Sequence, residues 1–208
     1  MQGSIMAQTR MPRAADYLGS APMPRNVEIK AYIESVDAFA HKTAAIADKG
    51  PIEIDQDDTF FYCEAGRLKL RVLSLEEGEL IFYRRPDQHE PKASYYLRSL
   101  TSTPETLREL LTQAYGQAAR VQKHRTLFLV GRTRVHLDHV KFLGDFLEIE
   151  VVLEEGEPVE AGVDEARSVM ARLGIEPEQL IEGAYVDLLA QQGVCNQCAA
   201  QDQDGPGT

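Results

Sequence analysis

The chain has 208 residues, 43% of them hydrophobic and 26% charged, with no tryptophan and a formal net charge of -11. This length suits one domain with a sizeable core. No apolar run is long enough to span a bilayer, and the acidic balance argues against a general nucleic-acid surface, which needs a basic footprint. Cys63 sits among aromatics and reads as an inert core thiol. Cys195 and Cys198 form a lone C-x-x-C without the two further ligands that zinc requires. Few cysteines and no secretory h-region favour a reducing, cytoplasmic location.

Residues 1–23 lack periodicity and read as a disordered leader, native or carried over from cloning. A first strand runs from Arg25 to Ile33. Ser35 offers an N-cap to a helix whose stripe is Val36, Phe39, Ala40, Ala44 and Ala47, ended by Gly50-Pro51. Ile52–Ile54 reads as a short strand, Gln56-Asp57-Asp58 as a turn, and Thr59–Tyr62 as the next strand. Gly66 turns the chain into Arg67–Ser74, Glu77-Gly78 starts a hairpin into Leu80–Arg84, and Lys92–Leu100 is extended. Thr103-Pro104-Glu105 opens a helix with the stripe Leu107, Leu110, Leu111 and Ala114, stopped by Gly116. Gln122–Val130 and Arg132–Leu137 are strands, a loop spans Asp138–Gly144, and Phe146–Leu153 completes the sheet. A helix over Asp164–Leu173 and two short ones within Pro177–Leu189 follow, and residues 191–208 read as a disordered tail.

About eight strands, mostly in hairpins, with helices inserted or appended, make an α+β fold on a large antiparallel sheet. The strands share a peculiarity. Asn26, Glu28 and Lys30 alternate with Val27, Ile29 and Ala31; Lys69 and Arg71 alternate with Leu68, Leu70 and Val72. Phe82 and Arg84 oppose Ile81 and Tyr83, Lys123 and Arg125 precede an apolar run, and Arg134, His136 and Asp138 sit two apart. Phe146, Glu148 and Glu150 oppose Leu147, Ile149 and Val151. One charged strand face is ordinary solvated surface. Repeated from strand to strand, with the carboxylates confined to the first and last, it predicts a sheet curled into a closed eight-stranded tunnel with the charged face inside.

Left empty, so many cations in a confined space repel one another; a polyphosphate relieves this by offering oxygens to guanidinium forks and ammonium groups. The carboxylates of the first and last strands are expected to become neighbours when the barrel closes. There they suit Mg²⁺ or Mn²⁺, hard cations that take oxygen ligands and bridge to phosphate.

The ordered motifs carry a family resemblance. Asn-Val-Glu-Ile-Lys at 26–30 resembles an ExExK signature, and the Asp57–Phe61, Gly66–Arg71, Leu80–Arg84, Lys123–Arg125, Thr133–Asp138 and Leu143–Glu150 segments follow in order. Together they resemble the CYTH superfamily, the triphosphate tunnel metalloenzymes, over residues 24–190, and within it the branch of class IV adenylyl cyclases. The resemblance implies an eight-stranded tunnel with flanking helices. In it Glu28, Lys30, Glu148 and Glu150 would carry catalysis. Lys30, Lys69, Arg71, Arg84, Lys92, Lys123, Arg125 and Arg134 would bind the triphosphate, and Glu28, Asp138, Glu148 and Glu150 the metal. Tyr185 falls where C-terminal elements approach the tunnel mouth. The first motif glutamate is Asn26 here, which removes one carboxylate from the metal site.

The reading that follows is Mg²⁺- or Mn²⁺-dependent hydrolysis of a small triphosphate: inorganic triphosphate, a nucleoside triphosphate or thiamine triphosphate. The alternatives are cyclisation of ATP to cyclic AMP and pyrophosphate, and a non-catalytic polyphosphate binder. No nucleic-acid polymer or membrane partner is expected.

Overall fold

The computed structural model describes residues 25–84 and 95–193. Eight strands form one antiparallel sheet: β1 (Arg25–Tyr32), β2 (Lys49–Phe61), β3 (Arg67–Ser74), β4 (Glu77–Arg84), β5 (Tyr95–Thr101), β6 (Gln117–Val130), β7 (Thr133–Val140) and β8 (Gly144–Leu153). Their spatial order is β1-β8-β7-β6-β2-β3-β4-β5. The helices are α1 (Val36–Ala44), α2 (Pro104–Tyr115), α3 (Val159–Leu173) and α4 (Tyr185–Gln191). Among the described residues no helix is long and apolar enough to cross a membrane. The expected leader at 1–23, Lys92, Cys195 and Cys198 lie outside the described residues, as does nearly all of the expected tail at 191–208.

Three helices cover the outer face of the sheet. Val27, Ala31, Val135, Leu137, Leu147, Ile149 and Val151 pack against Phe39 of α1 and Ala166, Val169 and Leu173 of α3. Phe61 and Leu70 pack against Leu111 of α2. The fourth helix sits on the inner face, where Tyr185 and Leu189 meet Phe60, Val121, Val140 and Phe146. Ser35 caps α1 by accepting from the Ala38 N–H at 3.1 Å. Gly162 lets α3 press onto the sheet: a Cβ there would lie 2.5 Å from Leu153 Cδ2 and 2.9 Å from Val27 Cγ2. Gly162→Val is therefore expected to lower the unfolding free energy by about 1–3 kcal/mol through overpacking, measurable by urea denaturation.

The acidic run Gln56-Asp57-Asp58 is strand, not turn. β2 is continuous and pairs along most of β6, Ile52 with Leu127 through Phe60 with Ala119. Cations on neighbouring elements supply what a turn otherwise would: Asp57 accepts from Arg120 Nε at 2.8 Å and Arg108 Nη2 at 3.0 Å, and Asp58 accepts from Lys69 and Arg71. Cross-strand pairing overrides the local turn preference. The expected loop at 138–144 likewise contracts to residues 141–143, because β7 continues through the buried Asp138 and Val140.

Two expectations about faces change. Lys69 pairs with Ile81 and Leu68 with Phe82, so Ile81, not Phe82, shares the inner face with Lys69. The carboxylates also meet for a different reason than barrel closure. β1 pairs directly with β8, setting Glu28 opposite Glu150 and Lys30 opposite Glu148. Among the described residues β1 and β5 do not pair, so the sheet curls around its inner face without a closed hydrogen-bonded ring.

Candidate active site

The inner face encloses a cavity of about 320 Å³ that draws residues from β1, β2, β3, β4, β6, β7, β8 and the start of α4. Five cations line it: Lys30, Lys69, Arg71, Lys123 and Arg125. Four carboxylates, Glu28, Asp58, Glu148 and Glu150, line it with them.

The cations are held by two devices built alike. On β3 and again on β6, a lysine and an arginine two residues apart project from one face, as strand geometry dictates. Each arginine has an aspartate directly across the ladder, Asp58 opposite Arg71 and Asp138 opposite Arg125. Asp58 accepts from Lys69 Nζ at 2.6 Å, Arg71 Nε at 2.7 Å and Arg71 Nη2 at 2.8 Å. Asp138 accepts from Lys123 Nζ at 2.8 Å, from Arg125 Nε and Nη2 at 2.6 Å each, and from the Tyr185 hydroxyl at 2.9 Å. Each guanidinium is pinned through Nε and Nη2, leaving Nη1 outside these pairs.

Burial works against every charge here, and the pairing decides which survive. It pushes the Asp58 carboxyl up, but Lys69 and Arg71 together hold it well below the usual carboxylate range. Asp138 and Glu148 are likewise held low by Arg125 and Lys123 against burial. Burial pulls Lys69 down to about 8 even with Asp58 beside it. Lys123 falls as well, through burial and the Arg125 charge. Burial among carboxylates raises the Tyr185 phenol far above its ordinary value, so it stays a hydrogen-bond donor. Its ring meets both Lys30, at 4.3 Å from the centroid, and Lys123, at 5.0 Å, a cation–π contact that favours each ammonium group.

The acidic side of the cavity lies where β1, β8 and β7 run together. Glu148 takes Lys30 Nζ at 2.9 Å on Oε1 and Arg125 Nη2, in a short contact, on Oε2. Glu150 accepts from Asn26 Nδ2 at 2.6 Å. Glu28 lies 3.7 Å from Lys30 Nζ. His136, opposite Glu148 in the ladder, is buried between Glu148 and Glu150, and its Nδ1 has no hydrogen-bond partner. Burial, with the Arg125 charge, lowers its pKa against the opposing pull of Glu148.

Of the residues expected at the site, Glu28, Lys30, Lys69, Arg71, Lys123, Arg125, Glu148 and Glu150 come together around the cavity. Arg134 is outside its lining: the side chain is 48% exposed and reaches Glu150 only at 3.4 Å. Asp138, expected as a metal ligand, is 0% exposed with both oxygens taken by protein donors, and it too is outside the lining. Lys92 and the Arg84 side chain fall outside the described residues. Asp58 falls within the motif order but carries no expected role, because two consecutive aspartates read as a turn. His136 was placed on the correct face without a role. The expectation that carboxylates occupy only the first and last strands fails on Asp58 of β2 and Asp138 of β7.

A divalent cation would have to be held on this acidic side. Among the described residues no three carboxylate, imidazole or thiol groups stand close enough together to grip an ion as they are placed, because Glu148 is drawn to Lys30 and Arg125 and Glu150 to Asn26. The donor set nevertheless fits one. Carboxylate oxygens on paired strands suit a hard dication, and the His136 imidazole stands in the same wall between Glu148 and Glu150.

Comparison with known proteins agrees with this architecture. Adenylate cyclase CyaB of Aeromonas hydrophila is 24% identical over 178 residues, which cover 82% of this chain and 91% of that protein. A conserved hypothetical protein from Pyrococcus furiosus shares the fold with a TM-score of 0.68 at 22% identity, covering 78% of this chain and 99% of its own. A putative adenylyl cyclase from Hippeastrum, described as having a dominant triphosphatase activity, matches with a TM-score of 0.57 at 15% identity over 82% of this chain and 96% of its own. The model of the CYTH domain matches residues 24–185, the span that holds all eight strands and reaches Tyr185 on the inner face, and this chain belongs to the CYTH family.

Proposed function

We propose that the cavity binds a small triphosphate and that the protein hydrolyses it with the help of Mg²⁺ or Mn²⁺. The observation that carries this reading is the pair of pinned Lys–Arg devices on β3 and β6, set beside a carboxylate side. Asp58 and Asp138 fix each guanidinium before a ligand arrives, so little rotamer entropy remains to be lost on binding. Two arginines and three lysines around one small cavity match a chain of phosphates better than a single one. Glu28, Glu148 and Glu150 would hold the cation, with Asp138 positioning cations instead of binding metal. A bound cation supplies charge withdrawal from the reacting phosphorus. Lys30, tied to Glu148 at 2.9 Å and to the Gly183 carbonyl at 3.2 Å, would steer phosphate oxygens toward that side.

The second reading is cyclisation of ATP, favoured by the relationship to a protein named adenylate cyclase and by the apolar stretch of wall at Phe60 and Ile81 that a base could cover. Hydrolysis and cyclisation need the same grip on the phosphates and differ only in whether water or the ribose 3′-hydroxyl attacks. Incubating the protein with Mg²⁺ or Mn²⁺ and tripolyphosphate, ATP or thiamine triphosphate, then scoring orthophosphate, pyrophosphate and cyclic nucleotide, separates them. Orthophosphate as the main product supports hydrolysis, cyclic AMP with pyrophosphate replaces it by cyclisation, and binding without turnover leaves a polyphosphate binder.

Asn26 sets the metal stoichiometry. Its amide donates to Glu150, an arrangement that a carboxylate at 26 would turn into repulsion. One protein-anchored cation is expected. Asn26→Glu should tighten divalent-cation binding in calorimetry and lower the metal concentration needed for turnover, while the metal-free variant melts slightly below wild type. An unchanged metal dependence would remove Asn26 from the site.

A further inference from the structure

His136 brings an imidazole into the cavity wall between two carboxylates. Its side chain is 9% exposed and Nδ1 is buried without a partner, which a folded protein rarely tolerates unless something else completes the site. Nδ1 lies 3.7 Å from Glu148 Oε2 and Nε2 lies 3.8 Å from Glu150 Oε2. Both separations are too long for hydrogen bonds. The Nε2–Glu150 separation is, however, the spacing of two atoms that share an ion: with bonds of about 2.1 Å, ligands on one metal stand roughly 3–4 Å apart.

The two ring nitrogens are not equivalent. Nδ1 is enclosed by protein and faces Glu148, whereas Nε2 faces Glu150, the carboxylate less committed to protein cations. A metal-bound histidine usually directs its second N–H at a carboxylate, which fixes the ring and makes the bound nitrogen a better donor. Glu148, held by Lys30 and Arg125, faces Nδ1 from 3.7 Å, so a ring drawn onto a cation gains that bond only by moving closer.

We propose that His136 Nε2, together with Glu150, ligates the divalent cation, so that the site is mixed nitrogen and oxygen and prefers Mn²⁺ to Mg²⁺. The proposal rests on the reading of the cavity as a cation-assisted triphosphate site. Mg²⁺ takes oxygen ligands almost exclusively, whereas Mn²⁺, though it too favours oxygen, tolerates an imidazole nitrogen among its ligands. Asn26 pushes the same way, since a neutral amide replaces a hard anionic oxygen beside Glu150.

Pulsed electron paramagnetic resonance on the Mn²⁺-loaded full-length protein tests this without reference to activity. Wild type should show nitrogen modulation from a directly bound imidazole, and the ¹⁴N pattern should give way to ¹⁵N in protein grown with ¹⁵N-histidine. His136→Gln should lose the signal and weaken Mn²⁺ binding by roughly tenfold to a hundredfold, with Mg²⁺ binding unchanged. If His136→Gln does not fold, the isotope comparison in wild type decides. Mn²⁺ bound at one site with no histidine coupling, or coupling that survives His136→Gln, overturns the assignment and leaves the cation site itself standing. Failure of Mn²⁺ to bind wild type with or without tripolyphosphate removes the cation site and this proposal together.

Discussion

Arg125→Ala is expected to lower the unfolding free energy by about 3–5 kcal/mol and to weaken tripolyphosphate binding by roughly tenfold or more. The two effects share one cause. Arg125 is buried and bridges Asp138 and Glu148, so its loss strips a fork from one buried carboxylate and the Oε2 partner from another. Lys123 and Tyr185 still reach Asp138, and Lys30 still reaches Glu148, which places the cost within that range instead of beyond it. On charge alone, removing one cation from a crowded basic tunnel would relieve repulsion and stabilise the empty protein. The ion pairs reverse that expectation, because the cations are already neutralised by protein carboxylates. Arg125→Lys keeps the charge without the fork, and its stability should fall between wild type and alanine. Urea denaturation measures the first effect and calorimetry the second; a variant as stable as wild type would show that the bridge contributes nothing.

Asp58→Asn should act on both pH limbs. Lys69 and Arg71 depress the Asp58 pKa in the folded state, so the carboxylate contributes stability that is complete above its unfolded pKa and is lost as pH falls through the carboxylate range toward the depressed folded value. The variant should be less stable at pH 7 by about 3 kcal/mol, and its stability should fall less steeply below pH 5 or so than that of wild type. On the alkaline side, burial already brings Lys69 to about 8, with Asp58 as the group opposing that fall. Removing Asp58 lets the ammonium lose its proton at still lower pH. Tripolyphosphate affinity in wild type should decline as pH rises through about 8, and the decline should begin earlier in Asp58→Asn. Parallel pH profiles in the two proteins would contradict the assignment of Asp58 as the anchor of Lys69.

Much of this arrangement was legible as alternation. Lys69 and Arg71, or Lys123 and Arg125, can reach one face only if the backbone is extended, and the apolar residues between them fix which face is core. The helix starts at Ser35 and Pro104 were legible for equally local reasons, a cap and a pre-set backbone angle. What stayed hidden depends on partners far along the chain. Nothing near Asp57-Asp58 announces that Arg108, Arg120, Lys69 and Arg71 will hold those carboxylates in a strand. The pairing of β1 with β8, which alone sets Glu28 opposite Glu150, joins residues more than a hundred positions apart. The face of β4 was misread because Ile81 and Phe82 are both apolar, and only pairing with β3 tells which of them looks inward.

The central claim is that the pinned arginines and lysines of the inner face form a site for a chain of phosphates. Calorimetric titration of tripolyphosphate, pyrophosphate and orthophosphate into the protein, in chelator so that no cation-dependent turnover consumes the ligand, tests it most directly. The account predicts one site per chain and affinity rising with each added phosphate, tripolyphosphate exceeding orthophosphate by roughly a hundredfold or more at about 1.5–3 kcal/mol per charge-assisted contact. That advantage should shrink in Arg71→Ala. Equal affinity for the three ligands, or an advantage that survives loss of Arg71, would contradict it.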